Sequence, residues 1–210
     1  MKIFLTGGSG GIGKVVKQIL ESENIEVISP TSKDLDLSKN IQNLNYPPVD
    51  GFIHCAGVNN IASVDNIDTS SLLDIYKINT VSFIELCKNL KIKDNSNIIA
   101  IGSLYATGTK EGRLQYSMSK HALLGAVKTL ALEKSSSKIK VNLVSPGFVD
   151  TPMTVKNNTL ERISFLEKNI PLGLTQAWEI GNLCLYLVKH NNTITGQNLV
   201  IDGGYSLKGI

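Results

Sequence analysis

The sequence predicts an α/β fold in a single domain, residues 1–210, built on a doubly wound parallel sheet. Short apolar runs that suit strands alternate along the chain with stretches of helical apolar spacing. Many of the strand runs are apolar throughout, as expected when helices cover both faces of a sheet. A glycine-rich turn between the first strand and the first helix, Gly7–Gly13, agrees with this architecture, since ligands of such sheets bind at the carboxyl ends of the strands.

Residues 1–54 contain three predicted strands. The run Ile3–Leu5 precedes the glycine turn, and the amphipathic stretch Val15–Leu20 after the turn predicts a helix. Further strands are predicted at Ile25–Ile28 and at Val49–His54. Between these two strands, Ser29–Asn45 is polar and contains a proline, which leaves room for only a short connection where a helix and a strand would usually lie.

The rest of the chain continues the alternation to the last residues. Apolar positions at helical spacing predict helices, and short apolar runs between them predict strands. The predicted helices are Leu72–Leu90, Ser117–Glu133 and Trp178–Lys189, and the predicted strands are Asn97–Ile101, Ile139–Val144 and Asn198–Ile201. A further helix-like segment, Leu160–Lys168, lies within residues 153–175.

Composition excludes several classes of function. A net charge of +3 gives no argument for nucleic acid or for an anionic membrane as partner. No apolar run is long enough for a membrane span or a signal peptide, which favours a cytoplasmic protein. The cysteines Cys55, Cys87 and Cys184 are widely spaced in apolar surroundings, which favours buried free thiols, and the three scattered histidines suggest no metal site.

Two phosphate-binding motifs overlap in the glycine turn. Gly8-x-Gly10-x-x-Gly13 fits the dinucleotide fingerprint, in which the backbone approaches a pyrophosphate at the start of a helix. Gly8 to Lys14 also fits most of a P-loop, but Val15 stands where that loop needs Ser or Thr for magnesium. The fingerprint favours a dinucleotide cofactor, and the alternative is a tight turn with no ligand.

Four polar residues are candidates for chemistry. Tyr116 and Lys120 are four apart on a predicted helix, so that the ammonium and the phenol share a face. A nearby cation favours the phenolate, and bringing a tyrosine pKa from about 10 to about 7 requires roughly 4 kcal/mol. Ser103 follows a strand at the mouth of the expected cleft, and Asn79 lies on an apolar helix face. Each also has an ordinary structural explanation: a solvated helix face, a strand-end turn, and an amide that satisfies neighbouring backbone.

Taken in order, these features resemble the short-chain dehydrogenase/reductase family. The glycine turn, Asn79, Ser103, Tyr116 and Lys120 follow the family's order. The segment Pro146-Gly147-Phe148-Val149-Asp150-Thr151 looks like its Pro-Gly-x-x-x-Thr motif, and Thr195–Gly204 looks like its C-terminal signature. The resemblance covers essentially the whole chain, implies a Rossmann-type fold, and is closest to the shorter members, including the 3-oxoacyl-carrier-protein reductases.

The resemblance implies an NAD(P)(H)-dependent oxidoreductase that interconverts a carbonyl and a secondary alcohol. Tyr116 would be the general acid of reduction and the base of oxidation, Lys120 would lower its pKa and hold the nicotinamide ribose, Ser103 would orient the substrate carbonyl, and Asn79 would fix a proton-relay water. The other implied cofactor contacts are Thr6, Gly7, Ser9, Gly11, Ile12, Gly13, Ala56, Gly57, Pro146, Gly147, Val149 and Thr151.

The chain departs from the family pattern in two places. His54-Cys55-Ala56-Gly57 stands where the family often has Asn-Asn-Ala-Gly, so the sheet must be braced by another residue than the second Asn. The shortened Ser29–Asn45 segment leaves the adenine end more open and lacks the acidic residue at the strand end that indicates NAD. Thr31, Ser32 and Lys33 suit a 2′-phosphate, which favours NADP(H) and leaves NAD(H) open, although Asp34 is close. Asp36-Leu37 resembles the pair that contacts adenine.

The substrate is expected to be a small carbonyl or alcohol compound, lying under residues 153–175 as a lid. Family members commonly pair through the helices predicted at Leu72–Leu90 and Ser117–Glu133, which implies a homodimer or homotetramer. Two alternatives stay open: a nucleotide-sugar reductase or epimerase, and an NAD(P)-binding sensor without turnover. The first would usually carry a larger substrate domain, and the second would usually lack the tyrosine or the lysine.

Overall fold

A computed structural model describes residues 1–208 and contains one sheet of six parallel strands. The strands are β1 Lys2–Thr6, β2 Glu26–Ile28, β3 Val49–His54, β4 Ile92–Ile101, β5 Lys140–Pro146 and β6 Asn198–Ile201. Their order in the sheet is β2-β1-β3-β4-β5-β6. The chain therefore leaves β1 to one side, returns past it, and continues on the other side, which places the switch point between β1 and β3. The predicted doubly wound parallel sheet is confirmed.

Helices cover both faces of this sheet. They are α1 Gly11–Ser22, α2 Thr69–Tyr76, α3 Ser82–Asn89, α4 Leu114–Glu133, α5 Pro152–Lys156, α6 Leu160–Asn169, α7 Ala177–His190 and α8 Tyr205–Lys208. Helices α1 and α7 pack side by side on one face, while α3 and α4 cover the other. None of these helices is long and apolar enough to cross a membrane.

The core has two layers because successive side chains of a strand point to opposite faces. In β1, Phe4 packs with the α3 and α4 side, whereas Ile3 and Leu5 pack with the α1 and α7 side. All three side chains are fully buried. This is why the strand reads as a continuous apolar run in the sequence. The three cysteines are free, with Cys87 and Cys184 buried and Cys55 half-buried.

The structure differs from the sequence prediction in two elements. The helix predicted over Leu72–Leu90 is divided into α2 and α3 by a π-helical turn, Lys77–Val81, where the side chain of Asn79 bonds to a neighbouring loop. Strand β4 begins at Ile92, five residues before the predicted start, because Ile92 pairs with Val49 although the following residues are polar. The predicted short connection after β2 is confirmed, since residues 29–48 contain no helix or strand.

Candidate active site

The glycine turn after β1 brings the backbone into unusually close contact with the loop after β3. Gly7 has a φ of +71°, and a Cβ on it would lie 2.6 Å from the backbone nitrogen of Ala56. A Cβ on Gly13 would overlap the carbonyl oxygen of Gly7 and lie 2.8 Å from its carbonyl carbon. Both positions therefore require glycine, and the start of α1 is left open to a ligand.

The first cavity extends from this turn along the carboxyl edge of the sheet and has a volume of about 410 Å³. Most of the cofactor residues implied by the resemblance line it: Thr6, Gly7, Ser9, Gly11, Ile12, Gly13, Thr31, Ser32, Asp36, Leu37, Ala56, Gly57 and Thr151. It crosses the switch point between β1 and β3, where such sheets bind nucleotides. A cleft that begins at the glycine-rich N-terminus of a helix fits a dinucleotide.

The end of β1 is tied to the end of β3 by His54. Its Nδ1 lies 2.9 Å from the hydroxyl of Thr6, and that hydroxyl accepts a hydrogen bond of 3.4 Å from the nitrogen of Ala56. Burial lowers the pKa of His54 to about 3, with a further contribution from the nearby Lys120 cation, so the ring is neutral. His54 and Thr6 therefore connect the two strand ends in a chain that has Cys55 in place of the family's second Asn.

A second cavity of about 90 Å³ lies beside the first, and Met153 lines both. Ser103, Tyr116 and Gly147 line this second cavity, so the structure brings together residues that are widely separated in sequence. Ser103 lies two residues after the end of β4, and Tyr116 lies in the first turn of α4. The hydroxyl of Ser103 interacts with that of Tyr116, which lowers the pKa of the tyrosine.

The pKa of Tyr116 is nevertheless raised to about 12, because burial of the phenol outweighs the effects of Ser103 and of the cation Arg113. This direction is opposite to the one the sequence argument expects from Lys120. The ammonium nitrogen of Lys120 lies 5.6 Å from the centre of the Tyr116 ring and donates a 2.8 Å hydrogen bond to the Ile101 carbonyl. Tyr116 is therefore a protonated phenol at neutral pH in this structure.

Lys120 is 3% exposed, and burial lowers the pKa of its ammonium to about 8. Its nitrogen approaches the first cavity, because a Cβ built on Gly57 would lie 3.6 Å from it. The lysine thus stands between the tyrosine on one side and the wall of the larger cavity on the other. A group in this position can bind a hydroxyl of a ligand in the first cavity.

Asn79 is fully buried, and its side-chain amide is engaged by the protein. The oxygen accepts a 2.8 Å bond from the nitrogen of Val58, and the nitrogen donates to the Val58 carbonyl at 2.9 Å and to the Ser119 hydroxyl at 3.0 Å. Both amide hydrogens are used. This geometry agrees with the structural explanation of Asn79, a clamp between the π-helical turn, the loop after β3 and α4.

Several polar groups in the segment after β2 form hydrogen bonds with one another. Asp34 accepts hydrogen bonds from the nitrogen and the hydroxyl of Thr31, at 3.0 and 2.7 Å, and these bonds lower the pKa of its carboxyl. Asp36 binds the Ser38 hydroxyl at 2.7 Å in the same way. The Thr31 proton is therefore used by Asp34, which leaves the Ser32 hydroxyl as a donor at this end of the cleft. The exposed Lys33 follows Ser32 but does not line the cavity.

Four of the implied cofactor residues line neither cavity: Asn79 and Lys120, described above, and Pro146 and Val149. Pro146 is buried at the end of β5, and Val149 forms a bridge to Thr175 that joins the segment after β5 to the chain before α7. These contacts place the loop between them, including Gly147, at the second cavity. Within residues 1–208 no group of three potential ligand side chains could hold a metal ion.

The sequence argument misses several residues of the second cavity. They are Asn59, Leu104, Tyr105, Arg113 and Phe148, whereas Met153, Thr154, Asn157 and Asn158 belong to the segment 153–175 that the sequence predicts over the substrate. Most lie in loops whose course the pattern does not determine. Arg113 has a readable signal, because it precedes Tyr116 by three residues, a spacing that brings side chains to one side of a helix.

Comparisons with known proteins agree with this geometry. A family model described as enoyl-(acyl carrier protein) reductase matches residues 35–206. The chain is 32% identical to carbonyl reductase family member 4 of Xenopus laevis, with 96% of each chain covered, and 30% identical to a 3-oxoacyl-[acyl-carrier-protein] reductase of Buchnera aphidicola, with 96% and 95% covered. A solved short chain dehydrogenase family protein from Francisella tularensis superposes with a TM-score of 0.83 at 29% identity, covering 98% of both chains.

Proposed function

The chain belongs to the short-chain dehydrogenase/reductase family, and from this membership we propose a mechanism in which Tyr116 is the proton donor to a substrate carbonyl. Membership makes the protein an NAD(P)-dependent oxidoreductase of carbonyl and alcohol groups on small molecules. The observation that carries the mechanism is the position of Tyr116 in the small cavity, beside Ser103 and next to the large cleft. The proton of Tyr116 is thus available in the second cavity, which adjoins the first at Met153.

The two cavities have different roles in the proposed reaction: the first binds the cofactor, and the second binds the substrate. The nicotinamide cofactor, when bound, supplies or accepts the hydride. The residues around the first cavity, from Thr6 to Gly13 and at Gly57, hold the cofactor, and Lys120 binds its ribose. In the second cavity Ser103 donates a hydrogen bond that orients the carbonyl, and Tyr116 gives its proton to the oxygen as negative charge develops there.

The raised pKa of Tyr116 suits the direction of reduction. A phenol with a pKa of about 12 carries its proton at neutral pH and can donate it to a developing alkoxide, which is a stronger base. In oxidation the same residue accepts the proton. The Lys120 ammonium, which faces the ring, then stabilises the phenolate. Asn79 supports this arrangement by clamping the loop after β3 to α4.

Residues 153–175 are the proposed lid over the substrate. They include α6 and most of α5, and they join the active-site loop at Met153 and Thr154. The cleft is then closed on one side by this segment and on the other by the loop from Ser103 to Arg113.

A panel of carbonyl compounds, tested for consumption of NADPH, is the direct test of the proposed activity, and failure of every compound would contradict it.

We expect NADPH to bind more tightly than NADH, because Ser32 lines this end of the cleft and is followed by the exposed Lys33 cation, while Asp34 is occupied by Thr31. An exposed charge contact contributes only about 1 kcal/mol, so the preference should be about fivefold and should vanish in Lys33→Ala. Fluorescence titration of both cofactors measures it. Lys39→Ala, which removes an exposed lysine paired with Asp36, is the control. Equal dissociation constants in the unmodified protein would refute the preference.

A homodimer or homotetramer is the expected assembly, formed through α2–α3 and α4. These helices expose large apolar side chains, including Leu73, Ile84, Met118 and Leu132, of which Leu132 is 78% exposed. Apolar side chains grouped on neighbouring helices favour association. Light scattering at micromolar concentration gives the mass, and a monomer under these conditions would show that the helices do not pair.

A further inference from the structure

The second cavity contains a buried cation that the proposed mechanism does not use. Arg113 immediately precedes α4 and is only 7% exposed. Within residues 1–208 no carboxylate lies within 4.0 Å of its guanidinium, and no side-chain or backbone oxygen accepts a hydrogen bond from it. A guanidinium is charged at every physiological pH, and burying such a group without an anionic partner is costly.

Arg113 packs on Tyr105, whose ring in turn contacts the ring of Tyr116. Its guanidinium carbon lies 5.8 Å from the centre of the Tyr105 ring, and the Tyr105 and Tyr116 rings are 6.0 Å apart. The cation is close enough to lower the pKa of both phenols. Arg113 and Tyr116 also line the same cavity. An anion bound by Arg113 would therefore lie in the same cavity as a carbonyl bound at Tyr116.

The remaining walls of this cavity are compatible with a negatively charged ligand. Its other polar side chains are amides and hydroxyls, and no Asp or Glu lines it. The first turn of α4 also contains no acidic residue. The amide oxygen of Asn59 is buried without a partner, so it can accept a hydrogen bond from a hydroxyl group of the ligand. The volume of about 90 Å³ suits a short molecule.

We propose that the substrate is a short oxo acid or the corresponding hydroxy acid, whose carboxylate is bound by Arg113 while its carbonyl lies at Ser103 and Tyr116. The proposal rests on the proposed carbonyl reduction, and it adds the chemical class of the substrate. The planar fork of a guanidinium matches the two oxygens of a carboxylate, so that one contact fixes both charge and orientation. Arg113 is then the residue that determines specificity.

The first test compares acids with neutral analogues of the same shape. Pyruvate, acetoacetate and 4-oxopentanoate are each paired with their methyl esters, and kcat/KM is measured with NADPH and the full chain. We expect at least one acid to exceed its ester by about 100-fold, the size expected for a charge-assisted pair in a closed site. Equal values for acid and ester in all three pairs would overturn the proposal. Reduction of dihydroxyacetone phosphate in preference to every carboxylate would overturn it in favour of a phosphate.

Variants then assign the preference to a residue. Arg113→Gln should lose about 100-fold on the acid and little on the ester, and Arg113→Lys should recover part of the loss. Arg162→Gln is the matched control, because it removes the other arginine of the chain, in α6, beyond Tyr105. An equal loss on acid and ester in Arg113→Gln, or loss of the preference in Arg162→Gln instead, contradicts the assignment. Thermal melting shows whether each variant is folded.

Binding separates this proposal from the catalytic one. Acetoacetate and methyl acetoacetate are titrated into the NADP⁺ complex, which cannot reduce a ketone, and calorimetry gives their dissociation constants without turnover. Tighter binding of the acid, lost in Arg113→Gln, supports the carboxylate site even if no compound in the panel is reduced. Equal binding of acid and ester overturns the site, whereas absence of turnover alone overturns the proposed activity.

Discussion

Replacing Tyr116 with phenylalanine is expected to reduce kcat by about 100- to 10,000-fold, the contribution of a positioned general acid. The substitution removes one hydroxyl and keeps the ring that packs against Tyr105 and faces Lys120. Tyr116 lines the small cavity and not the large cleft, so the dissociation constant of NADPH should change by less than about threefold. A loss of rate without a loss of cofactor binding assigns the proton to this hydroxyl.

The matched control is Tyr105→Phe, the same change in the neighbouring ring of the same cavity. Tyr105 stacks under the Arg113 guanidinium through its ring, which phenylalanine preserves, so kcat should stay within about tenfold of the unmodified protein. Steady-state and single-turnover rates with any compound that the panel identifies give the comparison. Turnover of Tyr116→Phe at the unmodified rate would show that another group supplies the proton.

The position of Ser103 could be predicted from the sequence because it depends on one strong rule. A parallel strand that ends in a polar residue delivers that residue to the carboxyl edge, and Ser103 follows β4 there. Gly7 and Gly13 were predictable for a similar reason, since a strand, a glycine turn and a helix in succession determine their own local geometry. In both cases the information lies within a few residues of the chain.

The electrostatics of Tyr116 could not be predicted, because they depend on burial by distant residues. Helical spacing correctly places Lys120 near Tyr116, but the ammonium lies against the ring and bonds to the Ile101 carbonyl. The cost of burying the phenolate then decides the direction of the pKa. The hydrogen-bond partners of Asn79 could not be predicted for the same reason, because its amide bonds to Val58 and Ser119, which are distant in sequence.

Substituting Gly13 with alanine should largely abolish cofactor binding, with an NADPH dissociation constant raised by about 100-fold or more. The new methyl group would overlap the carbonyl of Gly7 and come within 3.2 Å of the nitrogen of Gly8. These are backbone atoms, which cannot move aside as a flexible side chain can, so the turn that offers its N–H groups to the pyrophosphate must open. Such overpacking also lowers the free energy of unfolding, by about 1–3 kcal/mol.

The control for Gly13→Ala is the same substitution in α4, where a Cβ on Gly125 would meet nothing within 4 Å. Gly125→Ala should raise the free energy of unfolding by about 0.5–1 kcal/mol, since alanine is the better helix former, and should leave NADPH binding unchanged. Urea unfolding should show changes in the free energy of unfolding that are opposite in sign for the two variants. Cofactor titration should show weaker binding of NADPH by Gly13→Ala alone. If Gly13→Ala binds NADPH as tightly as Gly125→Ala, the glycine turn does not hold the cofactor's pyrophosphate.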